Sequence, residues 1–160
     1  MDAKLDKAEY GPRWLEEEAV ARCVVQAIGR GETALRQYIV HAFVVMPNHV
    51  HLLIEPRTSL ARITNGLKGV SARDANRILA RTGKHFWQDE SFDHWVRNGG
   101  EFQRIRDYIV QNPVRAGLVS KPEEWPWSGT RLESAQSGEA HRSGCATKSM
   151  PPTPMSARTS

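Results

Sequence analysis

An α+β fold, an antiparallel sheet with helices on one face, is the architecture this sequence predicts. Two apolar, β-branched runs flank a Pro-Asn pair, and several stretches carry apolar residues at helical spacing. Helices and strands do not alternate in the regular βαβ order that a parallel sheet requires. A length of 160 residues suits one domain. That domain is expected over residues 1–131. From Leu132 onward Ser, Thr, Pro, Gly and Ala dominate, which cannot bury enough apolar surface to offset ordering entropy, so residues 132–160 are expected to form a disordered tail.

Each element has its own justification. Behind Gly11-Pro12, the stretch Trp14 to Ile28 places Val20, Cys23, Val24, Ala27 and Ile28 on one helical stripe, and Gly29 to Gly31 are expected to stop it. Tyr38 to Met46 reads as a strand, Pro47-Asn48 as a turn and His49 to Ile54 as the return strand, ended by Pro56. Ser59 to Lys68 carries Leu60, Ile63 and Leu67 on one face. After Gly69, Ser71-Ala72-Arg73-Asp74 resembles a capping box opening a further helical stretch through Leu79. Phe92 to Val96 is a short strand, and Glu101 to Gln111 a helix with Phe102, Ile105 and Ile109 inward. Asn112 before Pro113 is expected to close it.

Composition narrows the function classes. With 39% hydrophobic and 25% charged residues and a mean hydropathy of -0.54, the chain has no apolar run near the ~18 residues of a membrane span. No basic segment followed by an apolar stretch opens it, so the expected compartment is the cytoplasm, with no membrane partner. Cys23 and Cys145 have no CxxC spacing, which argues against a disulfide framework and a structural zinc site. The net charge of +4 is concentrated in residues 57–106, which hold ten basic against five acidic residues. Such a segment suggests a polyanion partner, nucleic acid first, or simply a solvated basic face. Arg62, Lys68, Arg73, Arg77 and Arg81 share its polar side. Phe86, Trp87, Phe92 and Trp95 interleave with Lys84 and Arg97, and Trp125 and Trp127 follow. Aromatics among cations can hold single-stranded nucleic acid by base stacking, although most of these tryptophans are expected in the core.

His49-Val50-His51 is the sharpest local feature. Alternate residues of a strand share a face, so the two imidazoles stand about 6.6 Å apart along the backbone while Val50 faces away. The pair can chelate one divalent ion; half-exposed strand histidines are the other reading. His41, His85 and His94 are weaker candidates. Tyr108 lies beside the apolar stripe of its helix, with Arg104 one turn before it and Asn112 one turn after. A tyrosine can act as a covalent nucleophile if a cation or a polarised target assists a phenol whose resting pKa is about 10; an amphipathic core-edge tyrosine is the alternative.

Taken as a set, Val44-Val45-Met46-Pro47-Asn48-His49-Val50-His51-Leu52-Leu53, Leu67-Lys68-Gly69, Phe86-Trp87-Gln88-Asp89, the run Tyr108 to Val119 and Trp125-Pro126-Trp127-Ser128 resemble the HUH single-tyrosine transposases. The similarity is greatest to the REP-associated branch and covers about Gly11 to Arg131. It implies a ferredoxin-like antiparallel sheet, with His49 and His51 as metal ligands, Asn112 as a third polar ligand and Tyr108 as the nucleophile. The implied ion is Mg²⁺ or Mn²⁺. The implied reaction is cleavage and rejoining of single-stranded hairpin or palindromic-repeat DNA through a 5′-phosphotyrosine bond, by a monomer or homodimer. Arg62, Lys68, Arg73, Arg77, Arg81, Trp87, Arg104 and Arg115 are the expected DNA contacts. A DNA-binding module without strand cleavage is the rival reading, and a water-using hydrolase a third. Family members open with a Tyr-Phe-Val-Thr-type strand that is central in the sheet. No such strand is legible before Trp14, so either the start lies upstream of Met1 or the sheet lacks this strand.

Overall fold

The computed structural model describes residues 11–88, 92–131 and 146–150, with backbone alone for 92–95 and 146–150. A 3-10 turn at Trp14–Glu16 leads into α1 (Glu18–Thr33), followed by the hairpin β1 (Tyr38–Met46) and β2 (His49–Pro56). Next come α2 (Leu60–Ile78), β3 (Phe92–Trp95), α3 (Gly99–Arg115), a short β4 (Ser128–Thr130) and β5 (Ala146–Met150). The strands form one antiparallel sheet in the order β3-β5-β2-β1-β4. The α+β class and the β1–β2 hairpin are as the sequence predicts.

Alternation along β2 assigns the two sides of the sheet. Val50, Leu52 and Ile54 pack with Val20, Val24 and Ile28 of α1 and Ile63 and Leu67 of α2. The intervening Leu53 packs on the opposite side with Phe102, Ile105 and Ile109 of α3. Helices on one face therefore describes α1 and α2, whereas α3 covers the other face. In β1 the register shifts between Val40 and Ala42. That irregularity moves Ala42, Val44 and Met46 to the α3 side, where Val40 had faced α1 and α2.

Three helix boundaries differ from expectation. α1 runs through Gly29 and Gly31 because Gly31 is a packing requirement and not a stop. A Cβ there would lie 2.0 Å from the Tyr38 hydroxyl, which donates 2.8 Å to the Ile28 carbonyl. α2 is one continuous helix through Gly66 and Gly69. Ser71 is not a cap: its buried hydroxyl donates to the Leu67 carbonyl at 2.6 Å and accepts from the Trp87 indole at 2.9 Å. The cap is Ser59, whose hydroxyl accepts from the Arg62 amide. α3 continues past Asn112 and Pro113 to Arg115. A proline this near a C-terminus removes one helical bond, and the Ala116 amide still reaches the Asn112 carbonyl at 2.9 Å.

The tail also departs from expectation. Ala146–Met150 pairs with β2 on one side and β3 on the other, so this part of 132–160 is strand and not disordered chain. Its polar composition predicts no strand; the unpaired edge of a strand as buried as β2 supplies the partner that decides it. Among the described residues no strand precedes α1. Residues 132–145 and 151–160, with Cys145, lie outside the described residues, as does Asp89.

Candidate active site

The turn Pro47-Asn48 delivers His49 and His51 at the start of β2, on the same side of the sheet as Leu53 and hence under α3. They are not half-exposed: their accessibilities are 0% and 7%. The Nε2 atoms stand 3.1 Å apart with the rings at 83°. The Nδ1 of His49 lies 2.7 Å from Oδ1 of Asn48, itself buried. A carboxamide oxygen can only accept, so Nδ1 carries the proton and the His49 lone pair sits on Nε2, facing His51. Asn48 thus orients a ring that the sequence marks only as following a turn.

This pair fits a divalent ion. Two nitrogens at right angles on one octahedral ion with bonds of about 2.1 Å are separated by about 3.0 Å, against the 3.1 Å observed. The orientation of His49 through its second nitrogen is the usual support of a metal-binding imidazole. Among the described residues there is no group of three or more His, Cys, Asp or Glu side chains, so a third protein donor among them would be an amide. Asn112, buried at 2% and one helical turn beyond Tyr108, is the amide α3 contributes to this side.

Tyr108 reaches the same place from above. Its ring lies 5.7 Å from that of His51, and its hydroxyl is buried without a hydrogen-bond partner. The Arg115 guanidinium sits 4.8 Å from the tyrosine ring centroid, two helical turns along. An acid or base side chain bonded to the phenol is thus absent among the described residues, while a cation stands beside it.

The expected DNA contacts divide into groups. Arg62, Arg73 and Arg77 on α2 and Arg104 on α3 are exposed, with Arg73 bonded to its neighbour Asp74. Arg115 is exposed and engaged with Tyr108. Lys68 is half-buried, donates to the Gln88 carbonyl at 2.6 Å and lines a cavity of about 550 Å³ with Asn65, Lys84, His85 and Trp87. One expectation needs correction. Trp87 is 5% exposed and held by Ser71, a core residue and not an open stacking platform, because its indole satisfies the buried hydroxyl of α2. Arg81 stacks on Trp14 at 3.8 Å, so it pins the N-terminal turn to the end of α2. Trp125 and Trp127 flank the β1 edge: the Trp125 indole donates to the Val45 carbonyl at 3.0 Å, and the Val45 amide to the Trp127 carbonyl at 2.8 Å. Of the weaker histidines, His41 faces Glu55 at 3.6 Å and Phe102, His85 is exposed in the cavity wall, and the side chain of His94 lies outside the described residues.

Residues 15–112 match the family described as IS200-like transposases, an interval that holds His49, His51, Tyr108 and Asn112. The chain belongs to the IS200-like transposase family. Over 94 residues it is 28% identical to the REP-associated tyrosine transposase of Escherichia coli (strain K12), covering 58% of this chain and 54% of that one. Over 98 residues it is 28% identical to a putative REP-associated tyrosine transposase of Haemophilus influenzae, covering 54% and 56%. The transposase-family chain thus spans about half the length of these relatives. A solved structure described as a REP-associated tyrosine transposase bound to a REP hairpin shares the fold, with a TM-score of 0.56, 20% identity and coverage of 83% and 82%. No helix among the described residues of this IS200-like chain is long and apolar enough to cross a membrane.

Proposed function

We propose that this chain nicks and rejoins single-stranded DNA, with Tyr108 as nucleophile and His49, His51 and Asn112 as metal ligands. The observation that carries the reading is the convergence of the two facing imidazole nitrogens, 3.1 Å apart, with the Tyr108 ring 5.7 Å from His51. A bound divalent ion would polarise the scissile phosphate. Two imidazoles with an amide favour Mn²⁺ over Mg²⁺, which prefers an all-oxygen shell. The Tyr108 oxygen attacks phosphorus and loses its proton, the bond to the 3′ oxygen breaks, and the products are a 5′-phosphotyrosine and a free 3′-OH. Because the diester is conserved in that bond, a second 3′-OH reverses the step on another strand, and no nucleotide cofactor is consumed. Arg115 places positive charge beside the reacting phenol and phosphate.

Arg62, Arg73 and Arg77, with Arg104, supply phosphate contacts for a hairpin whose unpaired nucleotides reach the site. The hairpin named in the structural relative's description makes that DNA class the first substrate to try. The test is incubation of the protein with a labelled single-stranded hairpin oligonucleotide, with and without Mn²⁺, followed by a denaturing gel. A metal-dependent covalent adduct that disappears in Tyr108→Phe and His49→Ala is the expected result. Binding without an adduct would make the chain a DNA-binding module. Cleavage that survives Tyr108→Phe would make water the nucleophile.

A further inference from the structure

We propose that Ala146–Met150, far along the chain from every residue of the site, is the strand that holds His49 and His51 in position. The part of this inference that concerns metal binding rests on the function proposed above; the part that concerns the sheet does not.

β5 lies inside the sheet, antiparallel to both neighbours. On one side Met150, Ser149, Lys148, Thr147 and Ala146 stand opposite Val50, His51, Leu52, Leu53 and Ile54. On the other, Ser149 to Ala146 stand opposite Phe92 to Trp95. Two consequences follow. First, β2 is buried on both faces, with Val50, Leu52, Leu53 and Ile54 each at 1% exposure or less. Alternate amides and carbonyls along its outer edge pair with β5, and without it they would turn to water while the buried side chains on both faces of β2 lose a neighbouring strand. Second, β5 is the link through which β3 joins the sheet among the described pairings. Removing it exposes the strand that carries both imidazoles and detaches the strand beyond.

The connection is geometrically open to the chain's own segment. Arg131 follows β4, which pairs with Ala42 at Thr130, and Ala146 begins β5 opposite Ile54, itself paired with Val40. Both ends therefore lie toward the same end of the sheet, three strand spacings or roughly 14 Å apart. The intervening residues 132–145 can span up to about 45 Å.

Residue-resolved hydrogen exchange on the full chain, with Mn²⁺ titration of the same samples, tests this. The amides of 146–150, and those of β2 that point away from β1, should exchange about 100-fold or more slowly than in an unstructured peptide. Ser149→Pro removes an amide at the position opposite His51. It should speed exchange of those β2 amides by about tenfold or more and weaken Mn²⁺ binding by a similar factor, while Val24 and Ile28 of α1 keep their protection. Ser149→Thr should behave as the unsubstituted chain. Exchange of 146–150 at peptide rates in the unsubstituted chain overturns the proposal, as does Ser149→Pro leaving β2 exchange or Mn²⁺ affinity unchanged. Protection that rises with protein concentration assigns the slot to a second copy and overturns the intrachain assignment. If the unsubstituted chain binds no Mn²⁺, the metal reading fails and exchange alone decides the strand.

Discussion

Gly29 and Gly31 stand two residues apart in α1, and replacing each by alanine should change stability in opposite directions. Helix propensity alone favours both substitutions, by about 0.5–1 kcal/mol each. At Gly29 an added Cβ meets nothing within 4 Å, so Gly29→Ala should stabilise by that amount. At Gly31 the Cβ would stand 2.0 Å from Oη and 2.4 Å from Cζ of Tyr38. Tyr38 is 2% exposed and its hydroxyl is committed to the Ile28 carbonyl. It can move aside only by abandoning that buried bond, at about 1–3 kcal/mol, and the crowding itself costs about 1–3 kcal/mol more. Set against the propensity gain, Gly31→Ala should destabilise by about 1–5 kcal/mol. Urea denaturation followed by circular dichroism measures both variants against the parent chain. A Gly31→Ala protein as stable as Gly29→Ala would show that Tyr38 does not occupy the space where that Cβ must go, and would refute the reasoning that carries α1 through its glycines.

Asn48→Ala should weaken Mn²⁺ binding about 10- to 100-fold in calorimetry, because the His49 ring loses the acceptor that sets its tautomer; unchanged affinity would remove Asn48 from the site. Trp87→Phe should cost about 1–2 kcal/mol of unfolding free energy through the lost bond to Ser71 and leave hairpin affinity unaltered, whereas Arg62→Ala or Arg77→Ala should weaken hairpin binding and lower the salt slope by about 1 without destabilising the fold. Burial, and secondarily the charge of Asp74, push the Cys23 thiol up to about 11 from an ordinary value near 9. Because the folded chain holds the neutral thiol more tightly than the unfolded chain does, its contribution to stability should be intact below about pH 9 and fade as the pH rises toward 11. At pH 8 Cys23 should react with iodoacetamide more slowly than in urea-unfolded protein, and equal rates would contradict its burial.

Much of the site was legible in the amino-acid order because its signals are local. A Pro-Asn turn between two β-branched runs specifies a hairpin, and the period of two along β2 puts both histidines on one face before any tertiary contact is known. The same holds for Tyr108 and Asn112, whose spacing of four residues places them on one helical face. What local rules misjudged were positions where a distant side chain overrides propensity. Gly31 reads as a helix stop until Tyr38 is seen over it, Ser71 reads as a cap until Trp87 donates to it, and Trp87 reads as a stacking surface until α2 covers it.

By itself the sequence determined the α+β class, the hairpin, the facing pair of imidazoles and the residues that mark the transposase family, since each depends on spacing along a few residues. Only the tertiary structure decided that α3 covers the face opposite α1 and α2, that Asn48 sets the His49 ring, and that a polar segment near residue 148 lies inside the sheet. The physical reason is the same in each case: burial and hydrogen-bond satisfaction are settled between residues far apart in the chain, and the backbone edge of β2 requires a partner whatever the composition of the strand that meets it.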